Sequence, residues 1–199
     1  MTTADGISQP VDVTMVRANL EGFPVVELPA GYRMRTYRDD DRQTWTDLHL
    51  AAERFVQVTP ELFDRQFGHA FPALADRMFF LETLDGTPVG SITAWWGRQY
   101  EEAISEQGRI HWVVIHPAYQ RRGLAKPMMT HAMRRLAQSH DSALLGTATG
   151  RPWAIKVYLD YGFRPDPAEL ARPEIVNGWR QVQRIIAHPA LAKAVDGAG

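Results

Sequence analysis

The sequence predicts a mixed α/β domain. A largely antiparallel sheet is covered by helices on both faces, with one parallel pair beside an anion-holding loop. Three observations carry this. Strand-like and helix-like periods alternate along most of the 199 residues. Apolar runs at 78–84 and 89–96 flank Asp85-Gly86, a strong hairpin signal. A third apolar run, 109–115, meets Pro117. It continues through the basic loop Gln120-Arg121-Arg122-Gly123 straight into an amphipathic stretch.

In chain order, residues 1–30 carry Pro10, Pro24 and Pro29 with weak periodicity, and are expected to form a partly ordered extension. A domain is expected over 31–187 and a frayed Ala/Gly-rich tail over 188–199. Residues 32–37 read as a strand. Asp39-Asp40-Asp41 then offers caps and first-turn acids for a helix reaching about Phe55. A short helix is expected from Pro60-Glu61, then the hairpin, then a polar loop at 100–107. Leu124, Met128, Met129, Ala132, Met133 and Leu136 recur at helical spacing, so a helix is expected over about 124–139. Residues 143–149 read as a strand, and Pro152 opens a helix that Gly162 stops. Phe163 begins a short strand, and 179–186 is expected to be the last one.

Composition narrows the chemistry. A net charge of −1 gives no global attraction to nucleic acid or to an anionic membrane, so neither is expected as a partner. With no cysteine there is no disulfide and no thiolate nucleophile, which fits a cytoplasmic location. The seven histidines are scattered without metal-ligand spacing, and no metal is expected. No G-x-x-x-x-G-K-[ST] loop supports a nucleotide phosphotransferase. A strand that feeds a helix through a short glycine loop points several backbone N–H groups at one spot. Arg121, Arg122 and the helix dipole suit that spot to a phosphate.

Gln120-Arg121-Arg122-Gly123-Leu124-Ala125 resembles the acyl-CoA loop of the GCN5-related N-acetyltransferases, and Val113-x-Ile115-x-Pro117 resembles that family's strand leading into it. Ala154-Ile155-x-x-Tyr158-x-x-x-Gly162-Phe163 resembles a second signature of the family, in the right order. The resemblance covers about residues 31–187. It implies a GNAT-like sheet whose parallel pair splays to admit acetyl-CoA as co-substrate. It also implies main-chain contacts from Val113, Val114 and Ile115, and a pyrophosphate cradle at Gln120, Arg121, Arg122, Gly123, Leu124, Ala125 and Lys126. Tyr158 is implied as the general acid that protonates the leaving thiolate. A homodimer is a common assembly in the family.

Two positions depart from the pattern. Where the family often has Asn stands Arg151, which could reach a CoA phosphate; where some members carry a Glu base stands Gly146. His111, on the central strand, is the first candidate base, with Glu101, Glu102 and Glu106 as water-relayed alternatives and His116 as a loop cap. The acceptor is expected to be a small-molecule primary amine with an apolar body. Aromatics between Phe55 and Phe71, and the acids Glu53, Glu61 and Asp64, would hold it. The competing reading is a non-catalytic acyl-CoA-binding sensor or structural module, which the missing Glu favours.

Overall fold

A computed structural model describes residues 6–68, 71–96 and 107–196. In chain order the elements are β1 (Asp12–Arg17), β2 (Tyr32–Thr36), α1 (Asp41–Ala52), α2 (Leu62–Phe67), α3 (Phe71–Arg77), β3 (Met78–Thr83) and β4 (Pro88–Trp95). Then come β5 (Gly108–Ile115), α4 (Ala125–Leu136), β6 (Ala143–Ala148), α5 (Pro152–Asp160), β7 (Arg164–Pro165), α6 (Pro173–Ile186) and α7 (Pro189–Asp196). The class is as expected: mixed α/β, with mainly antiparallel strands flanked by helices. The chain forms two compact units, one of Val25–Asp141 and one of Met1–Pro24 with Ser142–Gly199.

In the Val25–Asp141 unit, β2, β3, β4 and β5 pair in that order, each antiparallel to the next. Strand alternation sends successive side chains to opposite faces. On β3, Phe79 meets His131 of α4 at 4.4 Å between ring centres. Its neighbours Met78 and Phe80 lie instead with Trp45, Leu48, Phe63 and Phe67 of α1 and α2. One face is therefore covered by α4 and the other by an aromatic core. Trp45 anchors that core, edge-on to Phe63 at 5.3 Å and to Phe67 at 5.7 Å.

Buried charge fastens α1 to the sheet. Arg33 and Arg35 share a face of β2, and Glu82 of β3 stands directly opposite Arg33. Both arginines donate to Glu82, and Arg35 also grips Asp41 through two bonds of 2.5 and 2.7 Å. Asp41 accepts the Arg38 amide N–H as well, so it holds the start of α1 where a cap was expected from the triple aspartate.

In the other unit, β1 lies between β6 and β7 and is antiparallel to both. It falls within the stretch read as an extension; its alternation, with Val13 and Met15 buried, is too short to stand out. The strand expected over 179–186 is the second half of α6. Ile175, Gly178, Trp179, Val182 and Ile186 are buried at helical spacing, Pro173 opens the helix, and Ala187 at φ 45° ends it. The tail expected to fray forms α7 instead, burying Leu191 and Val195. His188 secures it, with Nδ1 accepting the Ala190 amide N–H and Nε2 paired with Asp160 at 3.2 Å.

Asp41 and Glu82 are each only 3% exposed, so removing Arg35 leaves the buried Asp41 without its arginine and Glu82 with Arg33 alone. Arg35→Met should cost about 3 kcal/mol or more of unfolding free energy in urea titration. A loss under about 0.5 kcal/mol would show that the pair is solvated like a surface bridge.

Candidate functional site

The segment from β5 to α4 is built to leave amides open. The His116 amide still donates to Val89 O at 2.8 Å, so the strand is held to its last residue. The turn after it is braced by its own side chains. His116 Nδ1 accepts the Ala118 N–H, Gln120 Nε2 donates back to Ile115 O at 3.0 Å, and Arg122 Nη2 donates to Ala118 O at 2.9 Å. The Arg122 guanidinium lies 4.6 Å over the Tyr119 ring and reaches Tyr32 Oη of β2 at 3.3 Å.

The chain then turns through two left-handed residues, Arg121 at φ 60° and Gly123 at φ 77°. Such a conformation, followed by a helix start, swings consecutive N–H groups to one side. Among the described residues, the amides of Arg121, Arg122, Gly123, Leu124 and Ala125 meet no acceptor. Leu124 caps α4 without a side-chain bond, and the first turn holds no acid. Pro127 has no N–H to satisfy. A Cβ on Gly123 would meet nothing within 4 Å, so glycine is needed there for its φ, and the space beside it is open. The Arg121 and Arg122 side chains are both exposed, but that of Arg122 is engaged by Ala118 and Tyr32.

The expected main-chain donors precede this loop. Ser91 pairs with Val114 and Thr93 with His111, so β5 carries one residue more than β4 between those pairs. Trp112 takes φ 46° at that bulge. Val114 turns its side chain into the aromatic core, whereas Val113 and Ile115 are half-buried. His111 is 8% exposed and lies edge-on to Phe67 at 5.7 Å. Burial, then the charges of Arg109 and His49, push its pKa well below the usual histidine value, so its imidazole is neutral at pH 7. His49, from α1, was not foreseen as its neighbour; nothing local in the sequence joins them.

The other unit carries Tyr158 and Arg151 on α5. Arg151 is the N-cap residue, its amide donating to Ala148 O at 3.0 Å. The far end explains the spacing Tyr158-x-x-x-Gly162-Phe163. The Phe163 N–H donates to Tyr158 O, and the Gly162 N–H to Leu159 O, both at 3.0 Å. Gly162 at φ 82° makes that reversal, and the Phe163 ring returns onto the Tyr158 ring at 6.4 Å. This is a Schellman cap with its hydrophobic contact. Tyr158 is buried, which pushes its phenol up to about 12, with Arg151 drawing it back only partly. The phenol therefore keeps its proton at neutral pH. Tyr161 is fully buried. Gly146, where a Glu base could have stood, is exposed on β6 opposite Thr14.

The acceptor expectation changes. Phe63 and Phe67 are core, and Phe55 is exposed. Glu53 accepts the amides of Arg54, Phe55 and Val56, and Asp64 pairs with Arg42. Glu61 is held below the usual carboxylate range by its own backbone N–H and by Thr59. Trp95 joins the core, while Trp96 is stacked against Arg77 at 3.6 Å and Arg135 at 4.6 Å. Glu101, Glu102 and Glu106 lie outside the described residues. Among the described residues no group of His, Asp or Glu could hold a metal ion, and no helix is long and apolar enough to cross a membrane.

Comparison with known proteins bears on the family and on the fold. A family model described as acetyltransferase (GNAT) family matches residues 36–163. No curated protein matches the chain. Among solved structures, a GCN5-related N-acetyltransferase from Sphaerobacter thermophilus superposes with a TM-score of 0.65 at 18% identity, covering 79% of this chain and 50% of that one. A GNAT-family acetyltransferase from Colwellia psychrerythraea gives 0.59 at 13% identity, over 79% and 54%. A diaminobutyrate acetyltransferase from Paenibacillus lautus, solved with L-2,4-diaminobutyric acid and coenzyme A, gives 0.53 at 18% identity, over 65% and 74%. The chain spans about half the length of the first two.

The Tyr158 phenol sits above its free value of 10.0, so the stability gained from burying it neutral is complete below pH 10 and is lost as pH rises towards 12. The melting temperature of the wild type should therefore fall more steeply than that of Tyr158→Phe across that window. Parallel curves would mean that the phenol is not shielded.

Proposed function

The chain belongs to the GNAT acetyltransferase family, and we propose that it transfers an acetyl group from acetyl-CoA to a small primary amine, directly, in a ternary complex. The observation that carries this is the row of open amides from Arg121 to Ala125 at the start of α4, with no acid beside it. A pyrophosphate supplies the acceptors that those N–H groups lack. Arg121 and Lys126 add positive charge, Arg122 and Gln120 hold the loop's shape, and Arg151 is assigned to a CoA phosphate. The bulge at Trp112 interrupts the β4–β5 register beside Val113, whose main-chain groups are assigned to the cofactor arm and to the thioester oxygen.

In the reaction, the amine nitrogen attacks the thioester carbonyl carbon and a C–N bond forms. The oxyanion collapses and the C–S bond breaks. Tyr158 is assigned to the departing thiolate. A phenol near 12 is a weaker acid than a thiol near about 8.5, so it stabilises the sulfur chiefly as a hydrogen-bond donor. His111 is assigned to the proton that the amine loses. Held neutral, it always offers a lone pair at pH 7, and its low pKa makes it pass the proton on to solvent. A cytoplasmic location and a homodimer belong to the same reading. The second reading, a CoA-binding module without turnover, is favoured by Gly146 and predicts binding without thiol release.

Acetyl-CoA and CoA, but not ATP, should raise the melting temperature, by about 2.7 kcal/mol of stabilisation at a hundredfold excess over Kd. Gly123→Asp should abolish the shift while leaving the unliganded protein folded. No shift in the wild type would end the proposal. Thiol release with a panel of primary amines such as spermidine, tryptamine and 2,4-diaminobutyrate then separates enzyme from binding module. Tyr158→Phe should lower kcat at least about tenfold with little change in KM for acetyl-CoA. His111→Gln should lower kcat/KM, and the wild-type profile should show no inflection from His111 near its free value of 6.5.

A further inference from the structure

The helix that carries Tyr158 is closed by a residue from the far end of the chain. Arg17 is the last residue of β1, which lies outside the family-matched span of 36–163. Its Nη1 donates to Tyr161 O, the carbonyl at the C-cap of α5, and its Nη2 donates to Glu21 O at 2.6 Å. Arg164 takes the adjoining carbonyls, donating to Leu159 O at 3.1 Å and to Phe163 O at 2.7 Å. A side chain on Gly162 would overlap Arg17 Nη1 and stand 2.9 Å from Cζ. The guanidinium thus lies across the Schellman turn in the space that glycine leaves.

The turn itself starts at Tyr158, because the Tyr158 carbonyl is the acceptor for Phe163 N–H. Loosening the C-cap carbonyl loosens the residue whose φ and ψ aim the phenol. β1 is firmly placed to do this. It is paired with β6 from Asp12↔Ala148 to Arg17↔Ala143 and with β7 at Val16↔Arg164. Arg17 therefore pulls on α5 from a strand fixed on both sides. Among the groups facing it, Arg164 is a like charge, which burial of Arg17 compounds. A pairing of two cations at one helix end is costly without a task, and the orphan carbonyls there are what it satisfies.

We infer that Arg17 is a positioning residue for Tyr158: by clamping the Tyr161 carbonyl over Gly162 it fixes the C-terminal turn of α5 and with it the direction of the phenol. This rests on the assignment of Tyr158 as the group that serves the leaving thiolate. Arg17→Met keeps the aliphatic stem and removes the donors. Arg17→Lys keeps one donor.

The test uses the full-length protein. Hydrogen exchange at the Tyr161, Gly162 and Phe163 amides should quicken about tenfold or more in Arg17→Met, while the β1 amides facing β6 keep their protection. Turnover of acetyl-CoA with the fastest amine of the panel should drop between about ten- and a hundredfold in kcat, with KM for acetyl-CoA held within about twofold. Arg17→Lys should recover part of the loss. In a Tyr158→Phe background the Arg17→Met change should lower kcat no further, because the group it aims is gone. Unchanged exchange overturns the inference whatever the kinetics. So does a kcat loss that multiplies onto Tyr158→Phe, which would mark general destabilisation. If Tyr158→Phe is slow but Arg17→Met is as fast as wild type, this inference alone fails. If Tyr158→Phe keeps full kcat, the Tyr158 assignment fails and this inference with it.

Discussion

Five consecutive backbone amides between β5 and α4, from Arg121 to Ala125, find no acceptor among the described residues, so each must take one from outside the fold. The neighbouring architecture holds that row in place. β5 is pinned by β4 up to the His116 amide. α4 is seated on the sheet by Met128, Met129, Ala132, Met133 and Leu136, all buried. Between these fixed ends the turn is stiffened by His116, Gln120 and Arg122, none of which is free to wander. In the proposed reading, affinity for an anion would come from amides that these fixed ends hold in place. That is the condition under which a ligand gains most from N–H donors, since the ordering cost is met during folding.

The two helices that matter treat their ends in opposite ways. α4 begins without a capping side chain and without an acid, so its positive end faces outward. α5 finishes with its carbonyls taken by Gly162, Phe163, Arg17 and Arg164. An end left open receives; an end filled holds still. The first suits a group that must come and go, and the second suits a side chain that must point one way throughout.

The loop was legible in the sequence because everything that makes it lies within about a dozen neighbouring residues: the proline, the two arginines, the glycine and the period of the helix that follows. Tyr158-x-x-x-Gly162-Phe163 was legible for the same reason, since a Schellman cap is a six-residue device. What was missed is held together across long separations. His49 reaches the surroundings of His111 from α1, Tyr32 supports Arg122 from β2, and Arg17 closes α5 from β1. No local pattern marks such partners. The strand expected at 179–186 failed for a different reason. Trp179, Val182 and Ile186, viewed without Ile175 and Pro173, show less than two helical repeats, and a short apolar run does not declare its period. The aromatics between Phe55 and Phe71 were open to two readings, core or acceptor wall. Packing of Phe63 and Phe67 about Trp45 makes them core.

Arg17 and Gly162 also bind each other's evolutionary future. A long side chain at 17 and any side chain at 162 compete for one volume, although 144 positions separate Arg17 from the carbonyl of Tyr161 that it holds. Asparagine, the residue that best tolerates a left-handed φ after glycine, could settle at 162 only in a lineage that had first shortened residue 17. Taken in the other order, the same two changes pass through a clash. The family signature at the end of α5 is therefore kept in this chain by two locks. One is the backbone angle that every helix of this ending shares, and the other is an epistatic partner on a strand that the signature does not contain.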